Sequence, residues 1–306
     1  MKNLPPKNLG LLFLTAVIWG TAYVAQAVGM DHIGPFAFNA ARSFVGGVAL
    51  IPVVLLFNRF KSQERLQKER ANRRILIIGG ICCGIALGVA SMLQQVGIKY
   101  TTVGKAGFVT ALYIVIVPIL GLFFRKKVGP KLWVSVIIAI VGLYLLCMTE
   151  SLSLQKGDFL VLLCAFCFSV HIMVIDHFSP KVDGVQMSCI QFFVAGILSS
   201  VVMLAVEGAP EPHAVLISWM PILYAGVLSS GVAYTLQIIG QKGVNPTIAS
   251  LVMSLESVIS VLAGWIILGQ SMSSREIFGC VLMFAAIVLA QLPDRVKETE
   301  EKELKT

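Results

Sequence analysis

The sequence predicts an all-α integral membrane protein whose ten transmembrane helices form two inverted five-helix repeats, and three observations predict it. The first is composition. Of 306 residues 57% are hydrophobic and only 13% charged, with a mean hydropathy of +0.86, more apolar than a soluble domain of this length. The second is a series of ten segments, each apolar on nearly all faces and long enough, at about 1.5 Å rise per residue, to cross a core of roughly 30 Å. Barrel strands would alternate with period two, so helices are expected. The third is internal repetition. At an offset of 149, Arg42-Ser43-Phe44-Val45-Gly46-Gly47 lies over Gln191-Phe192-Phe193-Val194-Ala195-Gly196; at 143, Gly88-Val89-Ala90, Leu93-Gln94, Gly97 and Lys99 match Gly231-Val232-Ala233, Leu236-Gln237, Gly240 and Lys242. Five spans per copy force the second copy into the bilayer upside down, as in many secondary transporters.

The first span, 9-29, carries Trp19 and Tyr23 as candidate aromatic walls. Lys2, Lys7 and Ala25-Gln26-Ala27 resemble a cleavable secretion signal, but the apolar run outlasts a signal core, contains Trp19, and is the structural partner the second half requires. In the second span, 35-57, Asn39, Arg42, Ser43 and Gly46 recur at i, i+3, i+4 and i+7 on one helix face. Arg42 either binds a substrate anion from a cavity wall or, about 10 Å below the outer surface, snorkels to headgroups or pairs structurally. Along the third span, 75-98, Gly84, Gly88, Ser91 and Gln95 form a stripe with Gln94 beside it.

The fourth span, 102-124, has Lys105 close to its outer end and Tyr113 further in. Lys105 is placed to snorkel or to serve an outer vestibule. The fifth span is 132-149, and a domain boundary there separates a first repeat, 1-149, from a second, 150-292. His171 of the sixth span, 158-178, follows Cys164, Cys167 and Phe168 on one face, as a buried hydrogen-bonded residue or a proton relay. Asp176 and His177 mark its cytoplasmic end. The seventh and eighth spans are 185-206 and 218-240; the eighth aligns Gly226, Ser230, Tyr234, Gln237 and Gln241. Glycines at this spacing mean close helix packing, while Gln94 and Gln237, related by the repeat, would flank a central site or form an interhelical hydrogen bond. Glu256 is the eleventh residue of the ninth span, 246-268, too deep for any loop to reach. Ionised carboxylates are costly at that depth, so it binds a cation or proton, or pairs with His171 or Arg42. The tenth span is 276-292, followed by a charged tail, 293-306. Pro52 and Pro118 supply places where helices bend.

Charge placement orients the chain. Of 24 basic residues, 19 fall in the termini and the loops on one side, seven of them in 58-74; only Lys99, Lys156 and Arg275 fall on the other. The positive-inside rule then puts both termini in the cytoplasm and the protein in the cytoplasmic membrane. The net charge of +8 follows from this bias, and no nucleic-acid module accompanies it, so nucleic acid is not an expected partner. All seven cysteines lie inside predicted spans. Cys164-x-x-Cys167 has metal or redox spacing but no second ligand pair; neither metal, cofactor nor catalytic nucleophile is expected.

Ala16-Val17-Ile18-Trp19-Gly20-Thr21-Ala22-Tyr23, Arg42-Ser43-Phe44, Gly104-Lys105-Ala106-Gly107-Phe108 with Val117-Pro118, Lys156-Gly157-Asp158-Phe159, and Ser254-Leu255-Glu256-Ser257-Val258 with Leu268-Gly269-Gln270 resemble the EamA-type drug/metabolite transporters. Ser257 stands where that family often has proline, and Gln270 where it often has glutamate. The resemblance covers essentially the whole chain and implies a carrier of amino acids, other metabolites or drug-like molecules, without naming one. A carrier of a small organic metabolite working by alternating access is the leading expectation; a receptor or scaffold without transport is the alternative. Because one chain holds both halves, a monomer can carry the whole site.

Overall fold

The computed structural model describes residues 5–100, 103–124, 128–147, 156–268 and 273–292; Lys2, Gln270, the 149/150 boundary and the 293-306 tail lie outside them. The described residues are helical and contain no strand. They form α1 (Pro6–Gly29), α2 (Pro35–Arg59), α3 (Gln63–Ala71), α4 (Arg73–Lys99), α5 (Val103–Ala111), α6 (Tyr113–Phe123), α7 (Pro130–Cys147), α8 (Lys156–Phe178), α9 (Gly184–Val206), α10 (Pro212–Ile217), α11 (Trp219–Leu223), a π-helical segment (Tyr224–Ala233), α12 (Tyr234–Gln241), α13 (Pro246–Met253), α14 (Leu255–Leu268) and α15 (Ser274–Gln291).

Seven stretches are long and apolar enough to cross a membrane: α1, α2, α4, Ala106–Phe123, α8, α9 and Trp219–Gln241. Shorter apolar helices, Pro130–Leu145 and Pro246–Leu262, fall on the fifth and ninth expected spans, and α15 on the tenth. The fourth and ninth are each interrupted once, at Leu112 and at Ser254. Large apolar side chains such as Leu55, Ile137, Val201 and Val281 point outward, as they must where the solvent is hydrocarbon.

Local chemistry starts these helices. Asp183 caps α9 through the amides of Val185 and Gln186, Asn245 caps α13 through Thr247, and Ser273 with Glu276 forms a capping box on α15. Lipid offers no hydrophobic drive for helices to associate, so close contact at small residues does that work. A Cβ on Gly226 of the π segment would meet Val45 Cγ1 at 2.5 Å and Arg42 O at 3.0 Å, and one on Gly142 of α7 would meet Gly279 O of α15 at 3.0 Å.

The resulting neighbours are α2 with α9, α4 with α8 and α9, α7 with α15, α1 with α14, α12 and the π segment, α2 with the π segment, α5 and α6 with α8, and α6 with α13. Both ends of the α2–α9 pair are tied. At one end Glu207, just beyond α9, accepts from the first free amides of α2, Phe36 N at 3.0 Å and Ala37 N at 2.9 Å. At the other, Lys61, just past α2, bonds Asp183 at 3.0 Å, Glu69 at 2.8 Å and Asn58 at 2.9 Å.

A π turn widens the helix and shifts side-chain register, which leaves backbone groups short of partners. Side chains serve some of them: Thr15 Oγ1 donates to Ala233 O at 3.2 Å and Thr235 Oγ1 to Gly231 O at 2.6 Å. Nothing in the composition of Tyr224–Ala233 distinguishes it from an ordinary α turn.

Candidate functional site

One narrow cavity, about 30 Å³, lies in the interior where helices of both halves meet. Its wall is built from Trp19, Tyr23 and Gln26 on α1, Arg42 on α2, Gln94 on α4, Thr110 on α5 and Tyr113 on α6. Phe168 and Ile172 on α8, Ser229 in the π segment, Tyr234 and Gln237 on α12, Met253 on α13 and Glu256 on α14 complete it.

Arg42 is 3% exposed and does not reach the helix end, so the structure contradicts the snorkelling alternative. Neutral amides hold it: Nε donates to Asn39 Oδ1 at 2.8 Å and Nη1 to Gln26 Oε1 at 3.2 Å, while Asn39 is anchored through Ser199 Oγ at 2.8 Å. Among the described residues no carboxylate comes within ion-pair distance of it. Glu256 is 4% exposed and its Oε1 accepts from Tyr113 Oη at 3.2 Å. Of the alternatives offered for Glu256, pairing with His171 or Arg42 is not seen: the Tyr113 hydroxyl on α6 is its hydrogen-bond partner. A buried cation held only by dipoles and a buried carboxyl held by one hydroxyl share this cavity, and each retains capacity for a ligand of opposite charge.

Gln94 and Gln237 differ in their bonding. The Gln94 amide donates to Tyr23 Oη at 3.4 Å and Thr110 Oγ1 at 3.3 Å, whereas Gln237 Oε1 is buried without a partner. Trp19 Nε1 is also unpartnered. An unmet buried polar atom costs about 1–3 kcal/mol, so a donor on α1 and an acceptor on α12, both on residues that line the cavity, are left with unused hydrogen-bonding capacity. Tyr234 packs its ring between these groups, 4.6 Å from Trp19, 5.6 Å from Phe192 and 5.9 Å from His171, centroid to centroid.

Of the residues singled out in the sequence, Trp19, Tyr23, Arg42, Gln94, Tyr113, Tyr234, Gln237 and Glu256 meet at this cavity. His171 does not. It is wholly buried against Tyr234, with Nε2 3.1 Å from Gln191 Oε1, the buried hydrogen-bonded alternative rather than a lining residue, and α8 turns Phe168 and Ile172 toward the cavity instead. Lys105 lies on α5, and its side chain falls outside the described residues. Sequence reasoning missed Gln26, Thr110 and Ser229. The signal for Gln26 was present, since Trp19, Tyr23 and Gln26 follow one another at i, i+4 and i+7 on a single face. Cys164 is buried in the hydrophobic core and Cys167 beside it, and no cluster of metal-ligating side chains occurs among the described residues.

An all-helical bundle with seven membrane-length apolar stretches among the described residues defines a multi-pass membrane protein. Residues 7–148 and 155–292 each match the EamA-like transporter family, and the chain belongs to that family. Relatives include an uncharacterized transporter of Archaeoglobus fulgidus, 29% identical over 93% of this chain and 85% of its own length. Another is the uncharacterized transporter YoaV of Bacillus subtilis, 21% identical over 92% of this chain and 95% of its own. A solved crystal structure at 17% identity superposes with a TM-score of 0.73 over 92% of this chain and 96% of that one, and shares the fold.

Proposed function

We propose that the protein is a secondary transporter that moves a small polar organic metabolite across the cytoplasmic membrane by alternating access, with the cavity as its substrate site. One observation carries the proposal: the cavity wall is built in repeat-related pairs. An offset of 149 relates Trp19 to Phe168 and Tyr23 to Ile172; an offset of 143 relates Gln94 to Gln237, Thr110 to Met253 and Tyr113 to Glu256. All ten residues line the same small space.

Helix neighbours support the same symmetry. Exchanging halves turns α4 with α8 into α1 with the π segment and α12, α4 with α9 into α2 with the π segment, and α5–α6 with α8 into α1 with α13–α14; α2 with α9 and α7 with α15 map onto themselves. This is the pattern of ten spans in two inverted five-helix repeats, 1-149 and 150-292, around an axis through the cavity. A structure with that axis has two alternative conformations of comparable energy, one opening the site to each side, and substrate shifts their balance by its differential affinity.

The substrate class follows from the wall. An anionic group suits Arg42, a cationic or proton-donating group suits Glu256, and a compact body suits the Trp19–Tyr234 ring pair. About 30 Å³ admits roughly two waters, so the walls must part before a metabolite enters. Lys7, Lys61, Lys181 and Lys242 line adjoining clefts at one end of the bundle, in keeping with a cytoplasmic location of that end.

The test is reconstitution. Purified protein in liposomes, offered a mixture of polar metabolites with and without a proton gradient, should accumulate or exchange at least one component saturably. Saturable binding with no flux under any gradient would overturn transport in favour of a receptor or scaffold.

A further inference from the structure

Away from the central cavity, a cleft of about 430 Å³ opens at the end of the bundle where α1 begins and α2 and α12 finish. Lys7, Phe57, Phe60, Ser179, Ile238 and Lys242 line it. Its acids are already engaged. Asp183 spends one oxygen on Lys61 at 3.0 Å and the other on the amides of Val185 and Gln186, at 3.1 and 3.0 Å, and Lys61 takes Glu69 as well. Lys7 and Lys242 are left, with no acidic partner among the described residues. On the α8–α9 connection Ser179, 1% exposed, lines the same cleft, and its buried Oγ has no hydrogen-bond partner. The rest of the wall is apolar and open to the outside, with Phe57 53% and Phe60 81% exposed, and Leu55 and Leu56 continuing the apolar surface along α2 at 61% and 54%.

Two unneutralised ammonium groups and an unmet hydroxyl above an exposed apolar surface have the chemistry of a phosphate site with a hydrocarbon extension. Soluble phosphate would use the first part only and leave the aromatic surface unmatched. A zwitterionic lipid would bring its own ammonium against Lys7 and Lys242. We propose that this cleft binds an anionic glycerophospholipid of the cytoplasmic leaflet: the phosphate bridges Lys7 and Lys242 and accepts from Ser179 Oγ, while the acyl chains lie over Phe57, Phe60 and the α2 surface. The leaflet assignment rests on the orientation reading above; the site itself does not depend on transport. Such a lipid would tie α1, α2, the α8–α9 connection and α12 together at the membrane boundary.

Native mass spectrometry and thermal unfolding of the full chain, in detergent supplemented with phosphatidylglycerol or phosphatidylcholine at equal mole fraction, test it. The anionic lipid should be retained and should raise the unfolding temperature well above the value in phosphatidylcholine. A lysine at such a site is worth about five-fold in lipid affinity, so Lys7→Gln with Lys242→Gln should weaken retention about 30-fold and abolish the thermal increment. Both lysines are exposed, so the double variant should fold and unfold in phosphatidylcholine as wild type does, and the Lys7→Arg, Lys242→Arg pair should keep the increment. Equal retention of the two lipids, or an increment that survives the double Gln variant, would overturn the proposal. An increment reproduced in full by inorganic phosphate would overturn the lipid assignment and leave a soluble-anion site.

Discussion

The two walls of the cavity share a frame and differ in chemistry. The first repeat supplies Trp19, Tyr23, Gln26, Gln94, Thr110, Tyr113 and the cation Arg42, most of them already hydrogen-bonded. The second supplies Phe168, Ile172 and Met253 at the matching positions, together with the carboxyl of Glu256 and an amide, Gln237, that has an oxygen to spare. Duplication sets where side chains point, and divergence then polarises the site. A symmetric wall would bind symmetric ligands; this one presents a pre-built cationic side and an acidic side with an amide oxygen to spare, which under the proposed function would orient the substrate.

Four measurements would break or sharpen that contrast. The largest effect belongs to Arg42. Arg42→Ala removes a desolvated charge worth about 2–5 kcal/mol to an anionic ligand and should weaken substrate affinity about 30-fold or more, while Arg42→Lys retains part of it; equal, near-wild-type transport in both variants at normal expression would mean that the cationic wall does not face the substrate. Next is Glu256→Gln, which keeps the shape and removes titration. Exchange should persist, whereas gradient-driven accumulation is lost and the pH dependence of transport flattens; a variant that still concentrates substrate with wild-type pH dependence would leave the carboxyl a structural partner of Tyr113.

The two glutamines should then separate, although the repeat equates them. Gln94→Leu strands Tyr23 and Thr110 and should cost about 1–2 kcal/mol in detergent unfolding. Gln237→Leu removes an unmet oxygen, so stability should hold or rise while substrate affinity falls about 10-fold. Matching losses from both would erase the distinction between the walls. The smallest effect of all comes from one of two glycines behind them. A Cβ at Gly88 on α4 meets the flexible Leu198 Cδ2 at 3.1 Å, so Gly88→Ala should change stability by under about 1 kcal/mol; Gly226→Ala meets the branched Val45 at 2.5 Å and Arg42 O at 3.0 Å and should cost about 1–3 kcal/mol. Unfolding midpoints of the pair measure the difference.

Several of these positions were legible in the sequence because a membrane interior makes polar side chains conspicuous. Gln94 and Gln237 announced themselves by matching offsets, Glu256 by depth, and Arg42 by a polar stripe on its helix. Thr110 and Ser229 were not legible, because small hydroxyls also occur wherever helices pack closely. Nor was the π segment, since Ala, Gly, Val and Ser in that stretch suit either hydrogen-bond pattern. The partners of buried groups were the least accessible of all. Tyr113 meets Glu256 across 143 residues of chain, and Gln191 takes His171, through packing that no local pattern encodes.

The ties at both ends of the α2–α9 pair have a mechanical consequence. Sliding one of these helices along the other would extract Glu207 from the amides of Phe36 and Ala37 and, in the same movement, part Lys61 from Asp183. Two polar fastenings at opposite ends of a rigid rod resist shear together, so the pair acts as a single strut. Arg42 rides on that strut through Asn39 and Ser199, and Glu256 sits outside it on α14. Any motion that swings α14 against the strut changes the separation between the Arg42 guanidinium and the Glu256 carboxyl, so under the proposed alternating access that distance would differ between the two open states.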